Sequence, residues 1–80
     1  MGIAETEKEL AGKASRFLKA EMKRAGVTYT QLAERMKEHG FLEETEASIT
    51  SKLARGTFAA TFFIAVLAAL GLEGVQLNDL

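Results

Sequence analysis

The chain has no cysteine, no proline and no tryptophan, and it has a single histidine, His39. Without cysteine there is neither a disulfide framework nor a thiolate metal site. One histidine builds no metal site alone. Without proline, nothing kinks a helix or forces a turn, so punctuation falls to glycine. Gly26, Gly40, Gly56 and Gly71 each follow a helix-like stretch, where a left-handed C-terminal cap calls for glycine. A long hydrophobic run is missing too. The most apolar stretch, Phe58 to Leu72, contains Thr61 and Gly71 and falls short of the ~20 residues a membrane helix needs. The N-terminal residues are polar and acidic, unlike a signal peptide. The expected location is therefore the cytoplasm, away from membranes.

A strong charge of one sign is also lacking, since the net charge is −1. The charges are unevenly placed, however. Residues 13–55 carry nine basic and six acidic side chains, a net of +3, while both flanks are acidic. The 80 residues make one domain, and 48% of them are hydrophobic, as in a folded protein. We read residues 1–80 as a single domain with a polar N-terminal extension at 1–12 and a C-terminal tail at 73–80.

The periodicity is helical throughout. Ala14, Phe17, Leu18, Glu21, Met22 and Ala25 repeat at three- and four-residue intervals and predict a first helix from about Glu5 or Gly12 to Ala25. Thr28 to Gln31 has capping-box spacing, which predicts a second helix ended by Gly40, with Leu32, Ala33 and Met36 inward. Thr45 is a candidate cap for a third helix, about 45–55, with Ala47, Ile49 and Leu53 inward. Thr57 is a candidate cap for a fourth helix running to Leu70. That helix is apolar on almost every side, which predicts burial all round. Eighty residues are too little material to surround it, so a second copy is the expected cover. Residues 72–80 are open to reading as a strand, a half-turn or a dimer arm.

In this order the elements resemble the lambda-repressor/Cro-like helix-turn-helix family. Thr30-Gln31-Leu32-Ala33-Glu34-Arg35-Met36 is similar to that family's second helix, Ser48-Ile49-Thr50 to the core of its recognition helix, and Ala54-Arg55-Gly56 to its close. Arg55 to Phe58 is also similar to an Arg-Gly-x-Phe stretch in a group of small bacterial proteins. The resemblance implies an all-α fold, a four- to five-helix bundle with a helix-turn-helix core. It further implies a sequence-specific DNA-binding protein, a transcriptional regulator whose third helix enters the major groove, acting as a homodimer. Thr45, Ser48, Ser51, Lys52 and Arg55 are then the candidates for base contact. Lys19, Lys23, Thr28, Tyr29 and Thr30 are the candidates for phosphate contact. Phe58, Phe62, Phe63, Val66 and Leu70 are the candidates for the dimer interface. The partners implied are double-stranded DNA and a second copy.

Each signal has a plainer reading. The capping box is structural first, and Lys19, Lys23 and Arg24 are equally a solvated helix face. Glu43, Glu44 and Glu46 repel phosphates and read as dipole stabilisers or a protein-facing patch. An alternative function is therefore a protein–protein interaction module on the same scaffold, without DNA binding. No second element completes an acid–base pair with the glutamates, so no enzyme, cofactor or small-molecule ligand is expected.

Overall fold

The computed structural model describes residues 6–80, and the described residues form four α-helices and one short 3-10 turn. The helices are α1 (Glu7–Ala25), α2 (Tyr29–Glu38), α3 (Glu46–Arg55) and α4 (Ala60–Ala69). Among the described residues there is no strand. No helix is long and apolar enough to cross a membrane.

Local chemistry starts and stops these helices. Thr6 caps α1 by accepting from the Glu9 amide at 3.1 Å, and Glu7 and Glu9 sit in the first turn, where the helix dipole favours anions. Residues 7–12 therefore belong to α1 and not to a polar extension. The alternative start at Glu5 lies outside the described residues. Thr28 and Gln31 form a reciprocal capping box at α2, with bonds of 3.1 and 2.9 Å. Thr45 and Ser48 form a second one at α3.

Gly56 closes α3 at φ +73°, a left-handed conformation that a β-carbon disfavours. It also lets α1 come close, because a β-carbon there would lie 3.0 Å from the Ala11 carbonyl oxygen. Ser15 of α1 adds a second tie, donating its hydroxyl to the Leu53 carbonyl. That carbonyl lies in the last turn of α3 and has no partner within its own helix. The C-terminal end of α3 is thus fastened to α1.

α1 and α2 each pack on both α3 and α4. Leu18, Leu32, Met36, Ile49, Leu53 and Val66 are fully buried between them, and Met22 and Phe62 nearly so. Each such side chain contributes roughly 1.5–3 kcal/mol of burial free energy.

α4 departs from expectation at both ends and in its surroundings. It begins at Ala60 and not after Thr57: Thr57–Ala59 lie outside any helix, and Ala59, the extended N-cap, offers no side-chain hydrogen bond. Phe58 instead packs its ring on Phe62 and Phe63, with centroids 5.1 and 6.4 Å apart. α4 has no basic residue in its last turn, and Arg35 of α2 reaches the Ala69 carbonyl at 3.4 Å. α1 and α2 pack on it, and Lys52 of α3 lies over its Phe62 ring. Phe62, Ala65, Val66, Leu67 and Ala69 are buried within the chain itself. Only Ala60, Thr61, Ile64 and Ala68 face outward. Phe62 and Val66 therefore do not offer a surface to a second copy. Phe58, Phe63 and Leu70 are partly buried against the same core. The mainly small side chains on α4's outer side explain why three helices suffice.

The tail resolves into a single turn. Leu72 and Val75 pack on the core, and Leu77–Asp79 form the 3-10 turn.

Candidate nucleic-acid interface

α3 and its N-cap Thr45 carry the five residues expected to meet base edges, and the geometry divides them. Ile49 and Leu53 are buried, which orients the helix. Its outward stripe is Ala47, Thr50, Ser51 and Ala54, spaced at i, i+3, i+4 and i+7, with Glu46 and Arg55 also exposed. Ala47 is thus outward, contrary to the inward place expected from its apolarity. Ser51 and Arg55 lie on the exposed face, and Arg55 Nη1 donates to Ser51 Oγ at 2.6 Å. The Thr50 hydroxyl donates to the Glu46 carbonyl at 2.8 Å.

Thr45, Ser48 and Lys52 are committed elsewhere. Thr45 is the N-cap. The Ser48 hydroxyl accepts from the Thr45 amide at 2.9 Å and donates to Glu44 Oε1 at 2.7 Å. Lys52 Nζ is 2.5 Å from Glu44 Oε2 and 4.8 Å from the Phe62 ring centroid. Ser48 and Lys52 stand four residues apart on the flank of the buried stripe, turned toward Glu44 and α4. They are structural, and Lys52 does not point into a groove beyond α3.

Glu44 explains this arrangement. It is 8% exposed, and both of its oxygens are engaged. A buried carboxylate needs a counter-charge and hydrogen bonds, and Lys52 and Ser48 supply them. The acidic cluster before α3 is accordingly reduced to Glu43 and Glu46 at the surface. The connection from α2 to α3 is held at both ends. The Phe41 amide donates to the Met36 carbonyl at 2.9 Å, and Glu44 is fixed to α3.

The candidate phosphate contacts are more accessible. Lys19, Lys23, Thr28 and Thr30 are exposed, while Tyr29 is half-buried against the core. Thr28 uses its hydroxyl as the α2 cap. Arg24 is paired with the buried Glu21 at 3.0 Å. Sequence reasoning missed two cations. Lys8 and Arg16 fall on the same face of α1 as Lys19 and Lys23, because at 100° per residue positions 8, 16, 19 and 23 lie within an arc of about 80°. The signal was present in that spacing, although for Lys8 it is legible only once residues 7–12 are seen to belong to α1.

Residues 11–75 match a family described as a domain of unknown function, DUF6471. The chain belongs to the DUF6471 family. No curated protein and no solved structure matches it. The DUF6471 match takes in all of α2, α3 and α4 and all but the first turn of α1. It includes Gly56, Ser15 and the Glu44–Lys52 pair, so the close approach of α1 and α3 lies wholly within the family domain.

Two open depressions flank α1. One, of about 620 Å³, lies against the tail and brings Lys13, Arg16 and Arg24 near Glu21 and Asp79, so its charges largely balance. The other, of about 590 Å³, lies between α1 and the end of α3 and is predominantly basic. Among the described residues no group of His, Asp and Glu could hold a metal ion.

Proposed function

We propose that this DUF6471 domain binds double-stranded DNA through α3, on a helix-turn-helix core of the lambda-repressor/Cro-like kind, as a transcriptional regulator. The observation that carries the reading is the outer face of α3. Ala47, Thr50, Ser51 and Ala54 form a narrow stripe of short side chains, with Arg55 beside it. A helix with short outward side chains seats deeply in a major groove, where a hydroxyl bonds base edges, a threonine methyl meets a thymine methyl, and an arginine reaches guanine. α2, capped at Thr28, lies behind α3 and offers its N-terminus to a phosphate. The connection between the two helices is longer than in a tight helix-turn-helix, and the Glu44–Lys52 pair gives it a fixed geometry.

The base-facing set in this reading is Thr50, Ser51 and Arg55, with Ala47 and Ala54 as close-approach positions. Pairing of two copies, which matches a two-fold DNA site, falls to the outer side of α4, centred on Ile64, 62% exposed. Sedimentation of the wild-type chain against Ile64→Lys tests that part. A dimer lost in the variant supports it, and a monomeric wild type removes it.

The test of DNA binding is fluorescence anisotropy with labelled mixed-sequence duplex. Non-specific affinity is expected in the range of ~10⁻⁴–10⁻⁶ M at moderate salt. Ser51→Glu and Arg55→Glu should each weaken it without changing the helical circular dichroism. Absence of binding at low salt refutes the reading. The surviving alternative is then a protein-interaction module, for which Leu10, Leu42, Ile64 and Leu77 are the exposed large apolar groups among the described residues.

A further inference from the structure

The groove between α1 and the C-terminal end of α3 carries a surplus of cations. Lys8, Arg16 and Lys19 line it from α1, and Arg55 lines it from α3, against the single acid Glu7. None of these four cations forms an ion pair among the described residues. By contrast, Arg24 and Lys52 are each matched to a buried glutamate. The floor is made of small residues, Ala11, Gly12, Ala54 and Gly56. Gly12 has a specific use there. A β-carbon at this position would lie 3.1 Å from Arg16 Nη1, so the glycine leaves room for the guanidinium to lie back along α1.

We infer that this groove seats one phosphate strand of the duplex whose major groove receives α3. The inference rests on the DNA-binding reading above and adds to it a second contact surface with its own residues. Arg55 joins the two surfaces, since it stands on the exposed face of α3 and also lines the groove. An elongated polyanion fits a groove with unpaired cations on both walls and short side chains on its floor. A duplex is favoured over an acidic peptide by that continuity. Phosphate strands border the major groove on both sides, so a helix inserted there brings its neighbouring elements against them. Lys23, further along the same face of α1, extends the basic line to about 22 Å from Lys8.

The test is the salt dependence of duplex binding by the full chain and by the double variant Arg16→Gln/Lys19→Gln. Each phosphate contact contributes about −0.9 to the slope of log K against log salt. Losing two contacts lowers the steepness by about 1.8, so between 50 and 200 mM salt the wild type should lose about twelvefold more affinity than the variant. Both side chains are exposed, so the variant should keep the wild-type melting temperature. Wild-type binding with an unchanged slope in the variant overturns the groove assignment and leaves α3 recognition standing. Absence of wild-type duplex binding overturns both. Tighter binding of a poly-glutamate peptide than of duplex, lost in the same variant, overturns the strand assignment in favour of an acidic protein partner.

Discussion

Replacing Lys52 by methionine should cost far more stability than replacing Glu44 by glutamine, although the two residues form one pair. The asymmetry follows from where each end lies. The Lys52 side chain is 30% exposed and its ammonium can turn to water, whereas the Glu44 side chain is 10% exposed and cannot. In Glu44→Gln the amide oxygen still accepts a hydrogen bond, and the lysine rehydrates. The loss is about 1 kcal/mol, that of one hydrogen bond. In Lys52→Met the alkyl stem is kept against Phe62, but the carboxylate stays buried with only the Ser48 hydroxyl for company. Breaking a buried pair from that side costs roughly 3–5 kcal/mol, and the remaining serine bond places this case near the lower figure. For a domain of this size 1 kcal/mol moves the melting temperature by about 4–8 °C. Thermal and urea unfolding, followed by far-ultraviolet circular dichroism, should therefore separate the two variants by more than ~8 °C. The double variant should be less damaged than the sum of the two, because it removes the stranded charge. Equal losses, or a milder loss for Lys52→Met, would refute the view that Glu44 is the trapped partner.

Other substitutions probe the contact between α1 and α3. Gly56→Ala should destabilise by about 2 kcal/mol or more, because it adds a β-carbon against the Ala11 carbonyl to the cost of a left-handed alanine. Gly26→Ala, with the same left-handed φ but open space around it, should cost only ~1 kcal/mol, and denaturant titration of both separates steric from backbone terms. Ser15→Ala should cost about 1–3 kcal/mol by leaving the Leu53 carbonyl without its donor, read from the same titration. Gly12→Ala should stabilise α1 by about 0.5–1 kcal/mol, since glycine is disfavoured in a helix interior. The Arg16 guanidinium need give way only slightly, so a higher melting temperature with duplex binding retained is the expected pair of results.

Much of the helical framework was legible because its signals are local. Thr28 with Gln31, Thr45, Gly26 and Gly56 act within a few residues of themselves, and each caps or stops a helix where its spacing indicates. The outward set on α3 was only partly legible. Ser51 and Arg55 are exposed as expected, but Ser48 and Lys52 are claimed by Glu44, a buried acid whose place depends on the path of a whole connection. Polarity alone suggested that all four face water, and that Ala47 does not. The apolar surplus of α4 was legible only in part. Phe62 and Val66 turn inward within the chain, whereas Ile64 stays exposed among small neighbours, and which side of an all-apolar helix faces out is not written in its periodicity. Lys8 was overlooked because an acidic start to a helix resembles a solvated extension until Thr6 is seen capping it, whereas Arg16 lay within the expected helix and its spacing to Lys19 and Lys23 was already legible.

The position of α4 in the chain has a consequence for how the protein is made. Phe62 and Val66 fill the centre of the core, yet they belong to the last of the four helices to leave the ribosome. A nascent chain comprising α1, α2 and α3 alone has an unfilled apolar interior and lacks the Phe62 ring beneath Lys52. Isolated helices as short as α2 and α3 are marginal in water. Stable structure therefore waits for α4, and the groove and the outer face of α3 acquire their shape together, in one step, only when synthesis has passed that helix.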